Sequence, residues 1–144
     1  MIEVREVRGD AERRAALALR REVFVDEQGV PPELEIDEHD AIALHLVALD
    51  GERIVATCRL VDDAVAGRMK FGRLVVARDA RGAGIGRALL DEAERRARGL
   101  GRARIVLAAQ TSAMSLYERA GYSARGEVFL DAGIEHMTME KTLA

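Results

Sequence analysis

The feature that most constrains this chain is a glycine-rich turn between an apolar strand and an amphipathic helix. Gly82, Gly84 and Gly86 follow a mainly apolar predicted strand at 69–77 and precede a segment with apolar side chains on one helical face. Small residues at the start of a helix leave backbone N–H groups free, and the helix dipole adds positive charge there. The pattern predicts a strand–turn–helix unit that binds a phosphate or pyrophosphate, with a ligand-free tight connection as the alternative.

Two familiar phosphate-binding patterns do not fit this turn. A P-loop requires a Lys and a Ser or Thr directly after its last glycine, whereas Arg87 and Ala88 follow Gly86 here. A dinucleotide-binding turn has Gly-x-Gly-x-x-Gly after the first strand, whereas this turn comes after four predicted strands. We therefore exclude both kinds of site.

The rest of the chain alternates between strand-like and helix-like segments. Period-two alternation indicates strands, Asp10 fits a helix N-cap, and Asp50-Gly51 is a strong hairpin turn signal. The predicted elements are a strand at 2–7, a helix from Asp10 that ends by Gly29, an irregular acidic loop at 30–41, strands at 43–49, 53–61 and 69–77, a helix from 85 to about 99, a strand at 104–109, a helix at 112–120, and strands at 122–130 and 134–142. The order β α β β β α β α β β predicts one domain over residues 1–144, of the α/β (α+β) class, with a mixed sheet flanked by helices.

The composition argues against several functional classes. The formal net charge of −3 disfavours general nucleic-acid binding, which depends on clustered Lys and Arg. No apolar run approaches the roughly 20 residues that cross a bilayer, and no apolar signal core follows Met1, so we expect a cytoplasmic protein without a membrane partner. Cys58 is the only cysteine and the three histidines form no metal-binding pattern, so we expect no internal disulfide and no metal.

Two motifs together resemble those of the Gcn5-related N-acetyltransferases. The first is Arg81-x-x-Gly84-x-Gly86 after an apolar strand. The second is the segment 110–122, in which Tyr117 precedes a Gly-Tyr pair by four residues. The strand order matches too, so the resemblance covers essentially the whole chain. It implies a splayed sheet, acetyl-CoA as cosubstrate, and cofactor contacts from Leu74, Val75, Val76, Arg81, Gly82, Ala83, Gly84, Ile85, Gly86, Gln110, Ser115 and Tyr117.

The same resemblance implies roles in catalysis. The backbone of residues 74–76 would pair with the pantetheine arm of the cosubstrate, and an N–H near Val76 would face the thioester oxygen. Tyr117 is the expected general acid for the departing thiolate, because a phenol is reasonably matched to an alkyl thiol. The alternative for Tyr117 is a buried aromatic residue without a catalytic role. Cys58 lies in the middle of a strand, where we expect a small buried apolar residue rather than a nucleophile.

The acidic loop lies where the resemblance puts the acceptor pocket. Its carboxylates would bind a cationic amine and take its proton, with Glu38 and Asp37 as the leading candidates for the general base. His39 is an alternative, because histidine titrates near neutral pH, and a water relay without a dedicated base is another. If none of these holds, the loop is an ordinary solvated surface.

Three functional interpretations stay open. Arg21-Glu-Val-Phe24, the acidic run 35–40 and Arg59-Leu60 resemble the acyl-homoserine-lactone synthases, although the tryptophan of that family is absent. The segment 129–137 resembles the small ElaA-like bacterial acetyltransferases, which we favour, with a primary amine of a small molecule or peptide as acceptor. A sensor that binds acyl-CoA without turnover is a third class. We expect any homodimer to form through exposed C-terminal strands.

Overall fold

The computed structural model of the protein describes residues 1–143. These residues form seven strands and four α-helices, joined by one π-helical segment and three short 3-10 turns. The strands are β1 (Ile2–Glu6), β2 (Leu44–Asp50), β3 (Arg53–Asp62), β4 (Arg68–Val76), β5 (Arg104–Gln110), β6 (Ser123–Asp131) and β7 (Ile134–Thr142). The helices are α1 (Gly9–Arg20), α2 (Pro32–Glu35), α3 (Ile85–Gly99) and α4 (Met114–Arg119), the π-helical segment is Arg21–Glu27, and the 3-10 turns are Glu38–Ala41, Arg78–Ala80 and Thr111–Ala113.

All seven strands belong to one sheet, in the order β1-β2-β3-β4-β5-β7-β6. Every neighbouring pair is antiparallel except β4 and β5, which run parallel. The predicted α/β (α+β) class with a mixed sheet flanked by helices is confirmed. Parallel neighbours need a crossover, and α3 supplies it between β4 and β5.

The segment 30–41, predicted as an irregular loop, is partly helical. Pro32 opens the short helix α2, since proline fixes a helical φ and lacks the N–H that a first turn leaves unpaired. Asp37 caps the following 3-10 turn by accepting a hydrogen bond from the backbone N–H of His39, and the side chain of Asp40 accepts one from the N–H of Asp37. The acidic residues of this segment therefore serve first as local structure.

The first predicted helix is also shorter than expected. The α-helix ends at Arg20 and continues as the π-helical segment to Glu27. Before the change Ala16 and Leu19 are buried, whereas Ala15 is exposed. Val23, four residues after Leu19, stays buried beyond the change.

A bulge in β4 opens the sheet. In the register of β3 and β4, Thr57 faces Val75 and Arg59 faces Gly72, so two residues of β4, Arg73 and Leu74, lie opposite one residue of β3. Arg73 has a φ of 55°, in the left-handed region that a bulky residue seldom occupies. A bulged strand bends, and β4 turns away from its parallel neighbour here.

The pairing of β4 with β5 ends directly before this bulge. Its last registered pair is Phe71 with Leu107. Beyond that pair, β5 continues beside β7 as far as Gln110, which faces His136. The strands β4 and β5 thus diverge and leave a gap between residues 72–76 on one side and residues 108–110 on the other.

The core packs on both faces of the sheet. On one face, α3 buries a stripe at i,i+4 spacing, which includes Leu89, Ala93 and Ala97, against the central strands. On the other face, α1 and the π-helical segment bury Ala16, Leu19 and Val23. The gap between β4 and β5 connects these two faces, and a cavity lies there.

Candidate active site

A cavity of about 820 Å³ occupies the gap between β4 and β5. Its walls include residues 72–76 of β4, Leu107, Ala108 and Gln110 of β5. Tyr117 lines it on the face of α3, and Phe24 lines it on the face of α1. The cavity therefore extends from one face of the sheet to the other.

The backbone edge of β4 faces this cavity with unpaired groups. The N–H of Ala77 donates to the carbonyl of Val55 on β3 at 2.7 Å. Successive residues of a strand direct their N–H and C=O groups to opposite sides, so those of Val76 and Leu74 are directed away from β3. In agreement, the Val76 carbonyl accepts a hydrogen bond from Arg81 Nε at 2.9 Å. The N–H groups of Leu74 and Val76 are thus available to a ligand in the gap.

The glycine-rich turn has the geometry that the sequence indicates. Gly82 and Gly84 have φ values of 82° and 79°, which side chains disfavour, and Gly84 is the N-cap of α3. The N–H of Ala88 makes the first hydrogen bond of the helix, to the carbonyl of Gly84. The preceding N–H groups of α3 have no partner within the helix. They form a site suited to an anion, next to Gly86, which lines the cavity.

The side chain of Arg81 lies at the edge of the cavity and is held by an acidic partner. Its two terminal nitrogens donate to the carboxylate of Glu27 at 2.8 and 2.9 Å. Arg78 approaches the same carboxylate at 3.4 Å. These hydrogen bonds, Arg81 foremost, lower the pKa of Glu27. The predicted phosphate contact of Arg81 would therefore require an anion to compete with Glu27.

Tyr117 lies in the wall of the cavity with its hydroxyl free. The residue is buried, and its ring packs edge-on against Phe71 and Tyr122 at 6.4 and 6.1 Å between centroids. No residue among 1–143 hydrogen-bonds to its hydroxyl, yet that oxygen is not sealed from solvent. Burial raises the pKa of Tyr117, so the phenol keeps its proton at neutral pH. A protonated hydroxyl at a cavity wall can donate to a bound group.

The acidic segment is built into a network of buried ion pairs. Arg20, which is almost fully buried, donates to Glu35 at 2.5 Å and to Asp40 at 2.6 Å. Burial would raise the pKa of Asp40, but the hydrogen bonds from Arg20 and Arg59 outweigh it and hold that pKa well below its usual range. Charges buried in this way are stable only when paired.

Asp37 belongs to the same network. Arg59 donates to its two carboxylate oxygens at 2.7 and 2.9 Å, and Arg73 lies 3.4 Å away. The hydrogen bond from Arg59 lowers the pKa of Asp37. Asp37 lines the cavity, whereas the side chain of Glu38 is 85% exposed and lies outside the cavity lining.

The structure thus brings part of the predicted site together. The predicted residues that line the cavity are Leu74, Val75, Val76, Arg81, Gly86, Gln110, Tyr117 and Asp37. Those outside its lining are Gly82, Ala83, Gly84 and Ile85, which form the adjoining turn, and Ser115 and Glu38, which are exposed.

Three cavity residues escaped the sequence analysis. Arg73 is placed by the bulge, for which no local signal exists in the sequence. Gln28 accepts a hydrogen bond from Gln110 at 2.8 Å across the cavity. His136 lies in the segment 129–137, whose resemblance to the ElaA-like proteins was a signal that could have identified it.

Other chemistry has less support in the structure. Cys58 is fully buried, and burial raises the pKa of its thiol, so the reactive thiolate is disfavoured. Over residues 1–143, no group of three or more His, Cys, Asp or Glu side chains is arranged to hold a metal ion. Within the same part of the chain, no helix is long and apolar enough to span a membrane.

The site thus combines a mixed sheet that opens beside a bulged strand, unpaired N–H groups at the start of the next helix, and a free tyrosine hydroxyl in the opening. Residues 7–143 match the family model of the acetyltransferase (GNAT) domain. The chain therefore belongs to the GNAT acetyltransferase family, and it is an enzyme of the N-acetyltransferase type.

Individual relatives agree with this assignment. The chain is 40% identical to the uncharacterized N-acetyltransferase YjcF of Bacillus subtilis, over 88% of this chain and 89% of that protein. The structure of an acyl-CoA N-acyltransferase from Pseudomonas aeruginosa superposes with a TM-score of 0.86 at 33% identity, and the match covers 98% of each chain. Escherichia coli ElaA superposes with a TM-score of 0.87 at 25% identity, over 98% of this chain and 99% of that one. The resemblance to ElaA-like proteins is confirmed.

Proposed function

We propose that the protein transfers the acetyl group of acetyl-CoA to a primary amine of a small molecule or peptide, by direct attack within a ternary complex. The observation that carries the proposal is that the open backbone edge of Leu74 and Val76 and the free hydroxyl of Tyr117 line one cavity. A thioester in the gap would meet backbone donors and a proton donor together. The name of the Pseudomonas aeruginosa relative, which specifies acyl-CoA, supports the choice of donor.

The residues present fit coenzyme A. Its diphosphate suits the free N–H groups at the start of α3, where Gly82 and Gly84 let oxygens approach the main chain. Its pantetheine arm carries amides, which can pair with the open edge of β4 as another strand would. The two sites adjoin through Gly86, so one extended ligand can occupy both.

The transfer needs stabilisation of negative charge on the carbonyl oxygen. The N–H of Val76 is fixed in the sheet and directed toward the gap, which makes it a preorganised donor. One such donor contributes about 2.7–4 kcal/mol to the transition state. Tyr117 then donates its proton to the sulfur as the carbon–sulfur bond breaks.

The acceptor pocket would lie beyond the thioester, on the face of α1. Asp37 lines this part, but its lowered pKa makes it a weak base. Its charge is better suited to attracting a cationic amine than to removing a proton. Glu38, the other carboxylate predicted as the base, would have to turn inward from solvent to take part.

A thiol-release assay tests the proposal. Purified protein with acetyl-CoA should release free CoA when amines of different chemistry are added: spermidine, tyramine, lysine, a tripeptide with a free α-amine, and hydroxylamine as the smallest nucleophile. Calorimetry should show binding of acetyl-CoA without any amine. Binding without amine-dependent thiol release would instead indicate the sensor, and lactone formation from acyl donors would indicate a signal synthase. A folded protein that does not bind acetyl-CoA would contradict the proposal altogether.

The proposal includes a cytoplasmic location, where acetyl-CoA is available to a transferase. The proposed transfer requires no nucleic acid, no membrane and no metal, since its chemistry needs only the groups described above. The net charge of −3 supports the proposal that nucleic acid is not a partner.

A further inference from the structure

His136 lies on the acceptor side of the cavity with one ring nitrogen already bound. Its Nδ1 lies 2.7 Å from the carbonyl oxygen of Ile134. A carbonyl only accepts, so Nδ1 carries a proton, and in the neutral ring Nε2 holds a free lone pair. Among residues 1–143 no group hydrogen-bonds to Nε2, although this atom is not sealed from solvent. In its neutral form the ring therefore offers a nitrogen lone pair to the cavity.

The ring of His136 is held in place on both sides. It stacks on Phe129 with 5.9 Å between the ring centroids and an interplanar angle of 27°. In the sheet, His136 is registered between Phe129 of β6 and Gln110 of β5. The residue is 9% exposed. A base that is fixed in this way loses little freedom when a substrate binds.

The sheet places His136 and Tyr117 on opposite faces of the gap. Leu107 and Ala109 belong to the same core cluster as Tyr117. Alternation along β5 puts Gln110 on the other face, and His136, its partner in register, shares that face. Both His136 and Tyr117 line the one cavity. An acetyl group between them would have a proton donor on one side and a proton acceptor on the other.

A small recess joins the cavity beside His136. It has a volume of about 70 Å³ and is lined by apolar residues such as Phe24 and Leu34 and by three charged residues, Asp131, Arg73 and Glu35, of which the last two lie 3.7 Å apart. Asp131 is an exposed residue that lines both spaces, and no ion pair within residues 1–143 involves its carboxylate. An ammonium group could therefore pair with Asp131 and lie near His136, with an apolar part in the recess.

We propose that His136 is the catalytic base of this enzyme, which removes a proton from the acceptor amine through Nε2. This inference rests on the proposed function and deepens it. Nε2 accepts one proton from the ammonium, and the freed lone pair forms a bond to the acetyl carbonyl carbon. The carbon–sulfur bond then breaks, and Tyr117 gives its proton to the sulfur. The nitrogen of the product then loses its surplus proton, which passes through water to the phenolate oxygen of Tyr117. His136 releases to solvent the proton that it took from the ammonium.

The other candidate bases are less suitable. Asp37 is paired with Arg59, which lowers its pKa. His39 also lines the cavity, but its side chain is 50% exposed and lies 3.8 Å from that of Glu38, so it is not fixed as His136 is. His136 is the candidate that is fixed, faces the cavity and has an unpaired lone pair.

The test uses His136→Asn, which keeps an amide donor near the position of Nδ1 and removes Nε2. Glu135→Gln is the matched control, because Glu135 is exposed on the same strand and does not line the cavity. With the best cationic amine of the panel at pH 7, His136→Asn should lower kcat/KM about 10²-fold and abolish the acidic limb of its pH profile. With hydroxylamine, which reaches the site uncharged, the loss should shrink to a few-fold. Glu135→Gln should match the wild type in both assays.

Two readouts keep this test independent of folding and of the proposed function. Calorimetry should give the same acetyl-CoA affinity for His136→Asn as for the wild type, and NMR of 15N-histidine-labelled protein should show the Nδ1–H tautomer of His136. An active wild type with an unaltered pH profile in His136→Asn, or with the profile altered by His39→Asn instead, would overturn the inference. So would the Nε2–H tautomer. A wild type that binds no acetyl-CoA would refute the proposed function, whatever the tautomer.

Discussion

Arg81 of the glycine-rich turn donates two hydrogen bonds to Glu27 of the π-helical segment, at 2.8 and 2.9 Å. The two residues are 54 positions apart in the sequence. Both residues line the cavity, beside the glycine-rich turn. A bound diphosphate would have to share Arg81 with Glu27 or displace Glu27.

The first prediction concerns this contact. Glu27→Gln removes a negative charge near the proposed diphosphate and frees Arg81, so acetyl-CoA should bind about fivefold more tightly, the effect of roughly 1 kcal/mol. Calorimetry at low ionic strength measures it. Glu92→Gln is the control, because Glu92 also pairs with arginines but lies on α3 outside the cavity lining. Weaker binding by Glu27→Gln would mean that Glu27 positions Arg81 for the ligand.

The second prediction tests Tyr117 as the proton donor. Tyr117→Phe removes the free hydroxyl and keeps the ring packing, so turnover should fall at least about tenfold while acetyl-CoA affinity stays nearly unchanged. Steady-state rates and calorimetry separate the two effects. Tyr122→Phe is the matched control, since the Tyr122 hydroxyl donates to Glu94 at 3.0 Å and lies outside the cavity lining. Unaltered turnover in Tyr117→Phe would remove Tyr117 from the mechanism.

The third prediction concerns the buried ion pairs. Arg20→Met leaves Glu35 and Asp40 without their shared cation, so the free energy of unfolding should fall by about 3–5 kcal/mol. Arg53→Met breaks the exposed pair with Asp79 and should cost less than about 1 kcal/mol. Urea denaturation measures both. Equal losses for the two variants would show that the network contributes no more than a surface pair.

The fourth prediction follows from the pKa values of Asp37 and Asp40. Both lie below the ordinary 3.8 in the folded protein, so the unfolded chain takes up these protons first as the pH falls. Their stabilisation is complete above the ordinary value and is lost as the pH falls below 3.8. The urea midpoint should therefore drop steeply below about pH 4.

Asp40→Asn should flatten that drop, although it lowers stability at pH 7. Asp50→Asn is the control, because Asp50 is an exposed residue at the end of β2. A midpoint profile of Asp40→Asn that is parallel to the wild type would contradict the assignment of the acid sensitivity to this network.

The fifth prediction concerns self-association. Strand β6 is the edge of the sheet, all nine of its residues are exposed, and Val128 and Leu130 are 50% and 70% exposed. An apolar edge strand favours pairing with another chain, so we expect a homodimer through β6. Light scattering should show a dimer for the wild type and a monomer for Leu130→Lys. Leu100→Lys, at an exposed apolar site after α3, should leave the dimer intact.

The local pattern of the sequence was enough to identify much of the fold. The order of strands and helices followed from periodicity, and the turn at Gly82 and Gly84 followed from residue type, because a left-handed φ favours glycine whatever its surroundings. Tyr117 was identified from its spacing in a motif. All of these features depend on residues close to one another in the chain, so they can be read without a structure.

Only the tertiary structure decided how the acidic segment is used and which distant residues line the cavity. The sequence does not show which cations pair with the carboxylates of Asp37 and Asp40, because their partners Arg59 and Arg20 are 22 and 20 residues away. The bulge at Arg73 depends on the register between two strands, and a shift of one residue exchanges the faces of a strand. His136 faces the cavity for the same reason, since its face is set by its pairing with Gln110, 26 residues earlier in the chain.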